Sequence, residues 1–147
     1  MADSITIRAA VPADAPILTE LLAQLGYPAS VSEIPDRLRA IASFPAAAAF
    51  VATNRYAEVV GLVTAHLFPS IHDNAPVAWL TSLVVLEDAR GAGIGSALVR
   101  HVERWATEKG AKRLAVTSGI QRLTTHEFYE KRDYERTGLR FSKHLEP

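Results

Sequence analysis

The sequence predicts an α/β (α+β) fold in which one sheet is covered by helices on both faces. Three observations point there. Strand and helix patterns alternate along the chain in the order β-α-α-β-β-β-α-β-α-β, with a second strand able to follow the last. The 147 residues are the usual length of one domain, 1–147, with no internal repeat and no linker to divide them. With 48% hydrophobic and 22% charged residues, the chain has enough apolar side chain for a core.

The first strand is read from Ile5 to Arg8, where β-branched residues alternate with polar ones. Val11 to Asp14 reads as a helix start, because Asp suits a cap and Pro12 and Pro16 fit only near a first turn. Ile17, Leu18, Leu21, Leu22 and Leu25 then recur at helical spacing until Gly26. A second helix is expected near Ser30. Ser30 and Glu33 have the spacing of a capping box, and Ile34, Leu38 and Ile41 form an apolar stripe. Ala46 to Thr53 has helix-forming alanines. Yet Phe50 to Thr53 runs into an Asn54-Arg55 turn and a second β-rich run, Val59 to Leu67, so a hairpin is the better reading. Phe68 to Pro76 is a loop. Ala78 to Leu86 is apolar throughout, as a central strand would be.

Arg90 to Gly95 is a glycine-rich turn. It leads into a helix with Ile94, Leu98, Val102, Trp105 and Ala106 on one side, closed by Lys109-Gly110. Arg113 to Thr117 is a strand, Ser118 to Arg122 a polar linker, and Thr125 to Lys131 a short helix. Tyr134 to Leu145 alternates as a final strand or strand pair.

Composition narrows the function. Lys plus Arg and Asp plus Glu number 16 each, so the formal charge is zero and the basic excess of a nucleic-acid binder is missing. A charge near zero leaves a homodimer open, because little repulsion opposes it. The absence of cysteine rules out disulfides, thiolate nucleophiles and cysteine metal sites. No apolar run is long enough to span a membrane, and the start has no secretory pattern, so a cytoplasmic protein is expected. No spacing of His66, His72 and Asp73 matches a metal motif, and no metal is assigned.

The turn at Arg90 to Ser96 carries the chemistry. Glycines at 91, 93 and 95 let the backbone approach a ligand closely. The amides of a first helical turn favour an anion such as a diphosphate. Gly91, Ala92, Gly93, Ile94, Gly95 and Ser96 are the candidate cradle, and Arg90 adds charge at the strand end. A tight turn without a ligand would show the same glycines. A P-loop is excluded, because Ser96-Ala97 follows where Lys-Ser/Thr is needed. A dinucleotide fold would place the glycines after the first strand.

Arg90-Gly91-Ala92-Gly93-Ile94-Gly95 follows the fourth strand, and Thr125-His126-Glu127-Phe128-Tyr129-Glu130 follows the fifth. Together they resemble the GCN5-related N-acetyltransferase superfamily over almost the whole chain. Within it, His66, Trp79 and the C-terminal stretch resemble the small aminoalkylphosphonate acetyltransferases. The resemblance implies a mixed, mostly antiparallel, twisted sheet and acetyl-coenzyme A as co-substrate. It implies transfer of the acetyl group to a primary amine, most simply of a small molecule. Leu83, Val84 and Val85 would run along the pantetheine arm, with the amide around Val85 facing the thioester oxygen. Ser118 stands where the family often has an arm-binding Asn, and Arg122 and Lys131 could meet phosphates. Tyr129 matches the tyrosine that protonates the departing thiolate, and Phe128 is left to the core.

Two departures stand out. Where many relatives carry a strand glutamate, this chain has Thr81 and Ser82, neither of them a useful base. His66, His72, Asp73, His126 and Glu127 are the substitutes, each of which also has an ordinary structural role open to it. Arg132-Asp133 replaces a Leu-Gly pair, and Asp133 can still take the left-handed turn. The missing glutamate keeps a non-catalytic sensor or scaffold in view beside the enzyme, as it does a protein or peptide acceptor beside a small amine.

Overall fold

The computed structural model describes residues 4–117, 123–138 and 140–145. By contacts the chain forms two compact units, Met1–Ala115 and Val116–Pro147.

The first unit is built on a sheet in the order β1-β2-β3-β4-β5. Its strands are β1 (Thr6–Ala9), β2 (Ala47–Thr53), β3 (Val59–Phe68), β4 (Val77–Val85) and β5 (Arg113–Val116). The ladders β1/β2, β2/β3 and β3/β4 are antiparallel. The expected hairpin at Asn54 is present. The Asn54 side-chain oxygen accepts from the N–H groups of Tyr56 at 2.9 Å and Glu58 at 3.0 Å, adding to the turn's backbone bonds from Asn54 N–H to the Glu58 carbonyl and from Ala57 N–H to the Asn54 carbonyl. That outweighs the helix propensity of the alanine run, whose β2 segment pairs with β3 from Ala47 onward.

Helix α1 (Ala15–Leu25) and helix α2 (Ile34–Ala42) cover one face. Leu18, Leu21, Ile34 and Leu38 pack there against Val51, Leu62 and Val84. Both helices are entered through a single 3-10 turn, Pro12–Asp14 and Val31–Glu33. At the second, the Glu33 carboxylate accepts from the Ser30 N–H at 2.9 Å and its hydroxyl at 2.7 Å. At the first, the buried Asp14 accepts from the Val11 N–H and takes a two-pronged pair from Arg8 of β1, at 2.8 and 2.9 Å. This ties the edge strand to the start of α1. The Arg8 guanidinium holds the Asp14 carboxyl below the usual carboxylate range, against the opposing effect of burial.

Helix α3 (Ile94–Glu108) covers the other face. It packs tightly at Gly61 of β3, where an added Cβ would lie 3.0 Å from Leu98 Cδ1 and 3.3 Å from Ile94 Cγ2. Further along, the Phe50 ring meets His101 at 4.4 Å and Trp105 at 6.5 Å between centroids.

In the second unit, helix α4 (Leu123–Glu130) is followed by a tight turn at Lys131–Asp133. Asp133 adopts φ +66°, as its place in that turn requires. The final strand expected over Tyr134 to Leu145 does not form among the described residues. Alternation is only half of a strand signal, since a strand also needs a ladder partner. Phe141 and Leu145 are instead 88% and 90% exposed.

Candidate active site

β4 carries the residues expected along the pantetheine arm. Leu83, Val84 and Val85 pair with Val63, Leu62 and Gly61, which fixes their register. Val84 points into the core below α1, while Leu83 and Val85 are half-buried. Two residues upstream the ladder is interrupted. Thr64 pairs with Ser82 and Ala65 with Leu80, which leaves Thr81 as the extra residue of a bulge. The Thr81 and Thr64 hydroxyls meet across it at 2.7 Å. Nothing in the sequence signals this bulge, because Leu80 to Leu83 holds neither Gly nor Pro.

After Val85 the chain turns through a single 3-10 turn, Glu87–Ala89. Gln24 of α1 accepts from the Glu87 N–H at 3.1 Å and pins this turn. Arg90 folds back, and its Nε donates to the Val85 carbonyl at 3.1 Å. The expected charge is therefore at the strand end, and it also braces the strand-to-turn junction.

Gly91 and Gly93 follow at φ +88° and +81°, left-handed angles that a side chain disfavours. Beyond both Cα atoms there is open space. Gly93 occupies the N-cap of α3, and no side chain caps it. Ile94 is buried at the first turn and anchors the helix end, with Gly95 and Ser96 half-buried beside it. None of the N–H groups of Gly91, Ala92, Gly93, Ile94 and Gly95 donates to an acceptor among the described residues. Uncommitted amides at the positive end of a 15-residue helix, exposed at Gly91, Ala92 and Gly93, suit an anion such as a diphosphate. The glycine turn expected at 90–96 is present, with left-handed backbone at Gly91 and Gly93.

In the second unit, Tyr129 is buried at 7% exposure. Its ring meets those of Phe128 and Tyr134 edge-on, at 5.2 and 5.6 Å. Phe128, expected as the core member of the pair, is only half-buried, with the Arg132 guanidinium 3.7 Å above its ring. The Arg132 cation covers one face of Phe128, and Tyr129 is the buried member of the pair. Ser118 and Arg122 lie outside the described residues. Lys131 is exposed.

The candidate bases separate. His66 is half-buried on β3, directly opposite Trp79 on β4. Asp73 is taken up in an ion pair with Arg113 at 3.0 Å. The His72 N–H is bonded to the Ser70 hydroxyl within the exposed loop. Glu127 is exposed on α4, and His126 half-buried. Among the described residues no group of three or more His, Asp or Glu side chains is placed to hold a metal ion. A cavity of about 290 Å³ between β1 and α3 is lined by Ile5, Ile7, Arg100, His101 and Arg104. Ala97, in the first turns of α3, also lines it, and burial together with Arg104 holds the His101 imidazole below its ordinary value.

Comparison with known proteins follows the same lines. Over 91 residues the chain is 34% identical to the aminoalkylphosphonate N-acetyltransferase of Salmonella typhimurium. That alignment covers 62% of this chain and 59% of the Salmonella protein. It is 28% identical to an aminoglycoside N(6')-acetyltransferase type 1 of Stenotrophomonas maltophilia, over 100% of this chain and 98% of that one. The crystal structure of a protein described as a transcriptional regulator from Bacillus halodurans superposes with a TM-score of 0.88 at 27% identity, covering 97% of this chain and 100% of that one. The model of the acetyltransferase (GNAT) family matches residues 16–134, from the first turn of α1 through the bulge, the glycine turn and Tyr129. The chain therefore belongs to the acetyltransferase (GNAT) family of acetyl-coenzyme A dependent acyltransferases.

Proposed function

We propose that this protein moves the acetyl group of acetyl-coenzyme A directly to the primary amine of a small molecule, with residues 1–147 acting as one N-acetyltransferase domain. The observation that carries the reading is the run of uncommitted amides from Gly91 to Gly95 at the head of α3. In this reading those amides and Ser96 hold the diphosphate, and Arg90 keeps the turn in register with the strand. The main chain of Leu83, Val84 and Val85 lies along the pantetheine arm, to which the Ser118 hydroxyl donates one hydrogen bond. The amide at Val85 receives the charge that develops on the thioester oxygen. Tyr129 gives its proton to the departing thiolate. Direct transfer suits a chain without cysteine, which has no thiol to carry an acyl intermediate. A small acceptor is supported by two relatives named for small amines, an aminoalkylphosphonate and an aminoglycoside. The reading places the enzyme in the cytoplasm, where acetyl-coenzyme A is used, and leaves a homodimer open.

The second reading is a non-catalytic acetyl-coenzyme A sensor, which Thr81 and Ser82 favour by standing where a carboxylate base would serve. Thiol release from acetyl-coenzyme A separates the two. It is followed across aminoalkylphosphonates, aminoglycosides, polyamines, amino acids and short peptides, with and without added divalent metal. Release that depends on a small amine is the expected result. Release with peptides alone would move the acceptor to proteins. Tight cofactor binding with no release from any amine would favour the sensor.

A further inference from the structure

The geometry points to His66 as the group that takes the proton from the attacking amine. This assignment rests on the acetyltransferase reading above and supplies the base which that reading lacks.

Side chains two apart on a strand share a face and stand about 7 Å apart. Thr64, His66 and Phe68 therefore line one face of β3, the face whose Leu62 packs below α1 and α2. Across from them Trp79 pairs with His66, and the bulged Thr81 turns its hydroxyl onto the same face, 2.7 Å from that of Thr64. His66 thus stands diagonally across the ladder from the bulge. Below α1 and α2 this face is filled by core. From Thr64 onward its side chains are only partly buried, with the His66 and Phe68 rings 5.5 Å apart and the Phe68 and Trp79 rings 6.1 Å apart. The result is a half-buried shelf with an imidazole, a hydroxyl pair and two aromatic walls. It spans β3 and β4, and its β4 part, Trp79 and Thr81, is followed along the same strand by Leu83 and Val85.

The chemistry of these groups is complementary to an amine. In the hydroxyl pair one O–H is spent on the other oxygen, which leaves one donor and free lone pairs to orient an N–H. A neutral imidazole offers one nitrogen lone pair, and it suits proton uptake near neutrality better than any other side chain. The other titratable groups weighed for this role in the first unit have partners of their own: Asp73 pairs with Arg113, and the His72 ring nitrogen Nδ1 meets the Ser70 hydroxyl at 3.4 Å. In the step itself the amine lone pair forms the C–N bond at the acetyl carbonyl. The C–S bond breaks, and its electron pair leaves with sulfur. One amine proton passes to the His66 ring nitrogen, and the thiolate takes a proton from Tyr129. The products are an N-acetylated amine and free coenzyme A thiol. His66 afterwards returns its proton to solvent, from which Tyr129 is reprotonated.

The test uses the full chain and an amine that the wild type acetylates. His66→Gln should lower the single-turnover rate by about 100-fold, the usual scale of general-base catalysis. Acetyl-coenzyme A affinity by calorimetry should stay unchanged. Adding Thr81→Glu to His66→Gln should recover rate, because it sets a carboxylate on the same shelf, and a purely structural histidine would not be rescued this way. His66→Asn is read in the same manner and serves if the glutamine variant does not fold. A folded variant that transfers at the wild-type rate overturns the assignment and leaves the acetyltransferase reading intact. A wild type that binds acetyl-coenzyme A but acetylates no amine overturns that reading, and the role of His66 with it.

Discussion

Single residues carry the most direct consequences. Tyr129 is buried against two aromatic rings, so truncating only its hydroxyl leaves the packing of the second unit in place. Tyr129→Phe is expected to slow the chemical step about 10- to 100-fold, within the range seen for proton-transfer groups, with cofactor affinity retained. An unchanged single-turnover rate would remove Tyr129 from the mechanism. Asp14 has a structural role with a pH signature. Its carboxyl is held low chiefly by the bonds from Arg8, so its contribution is present above the unfolded carboxyl value of about 4 and fades as pH falls through the lower folded value. Asp14→Asn should cost about 1–3 kcal/mol near neutrality, less than for a fully buried pair because Arg8 is half-exposed. The gap between wild type and variant in denaturant melts should close below about pH 4. A gap independent of pH would mean that the charge of Asp14 is immaterial.

At the scale of elements, the packing of α3 on the sheet sets where the glycine turn lies. Gly61 is a tight contact point, with Leu98 wholly buried above it. Gly61→Val should destabilise the protein by about 1–3 kcal/mol by overpacking, read as a lowered midpoint of denaturation. A midpoint at or above that of wild type would show that α3 has room to move. Most elements were legible in advance. The helices declared themselves by Leu18-Leu21-Leu25 and Leu98-Val102 periodicity, and the hairpin by the Asn54 turn, because these signals are local. Glycine spacing at 91, 93 and 95 announced the turn for the same reason, though the left-handed angles of Gly91 and Gly93 came only with the structure. The bulge at Thr81 was hidden, since it arises from how β3 and β4 pair and not from any residue with special backbone freedom. The exchange of Phe128 for Tyr129 as the buried ring was hidden too; Arg132, one turn further on, covers one face of Phe128. The alternation after Tyr134 misled, since a pattern of polar and apolar residues says nothing of whether a partner strand is present.

For the whole molecule, the account comes down to one cradle on one sheet. A bulge opens β4 beside His66, three residues of the same strand lead on from it, and Arg90 and Gln24 hold the exit in place. The amides of 91–95 then open α3 toward an anion. Gly110, which closes α3 at φ +92° with equally open space beyond its Cα, provides an internal control for backbone strain alone. The decisive measurement is calorimetric titration of acetyl-coenzyme A into wild type, Gly93→Asp and Gly110→Ala, with each variant's melting point recorded alongside. The account predicts binding by wild type and Gly110→Ala and its loss in Gly93→Asp, where a carboxylate would stand at the diphosphate site. A folded Gly93→Asp variant that binds acetyl-coenzyme A as tightly as wild type would contradict it.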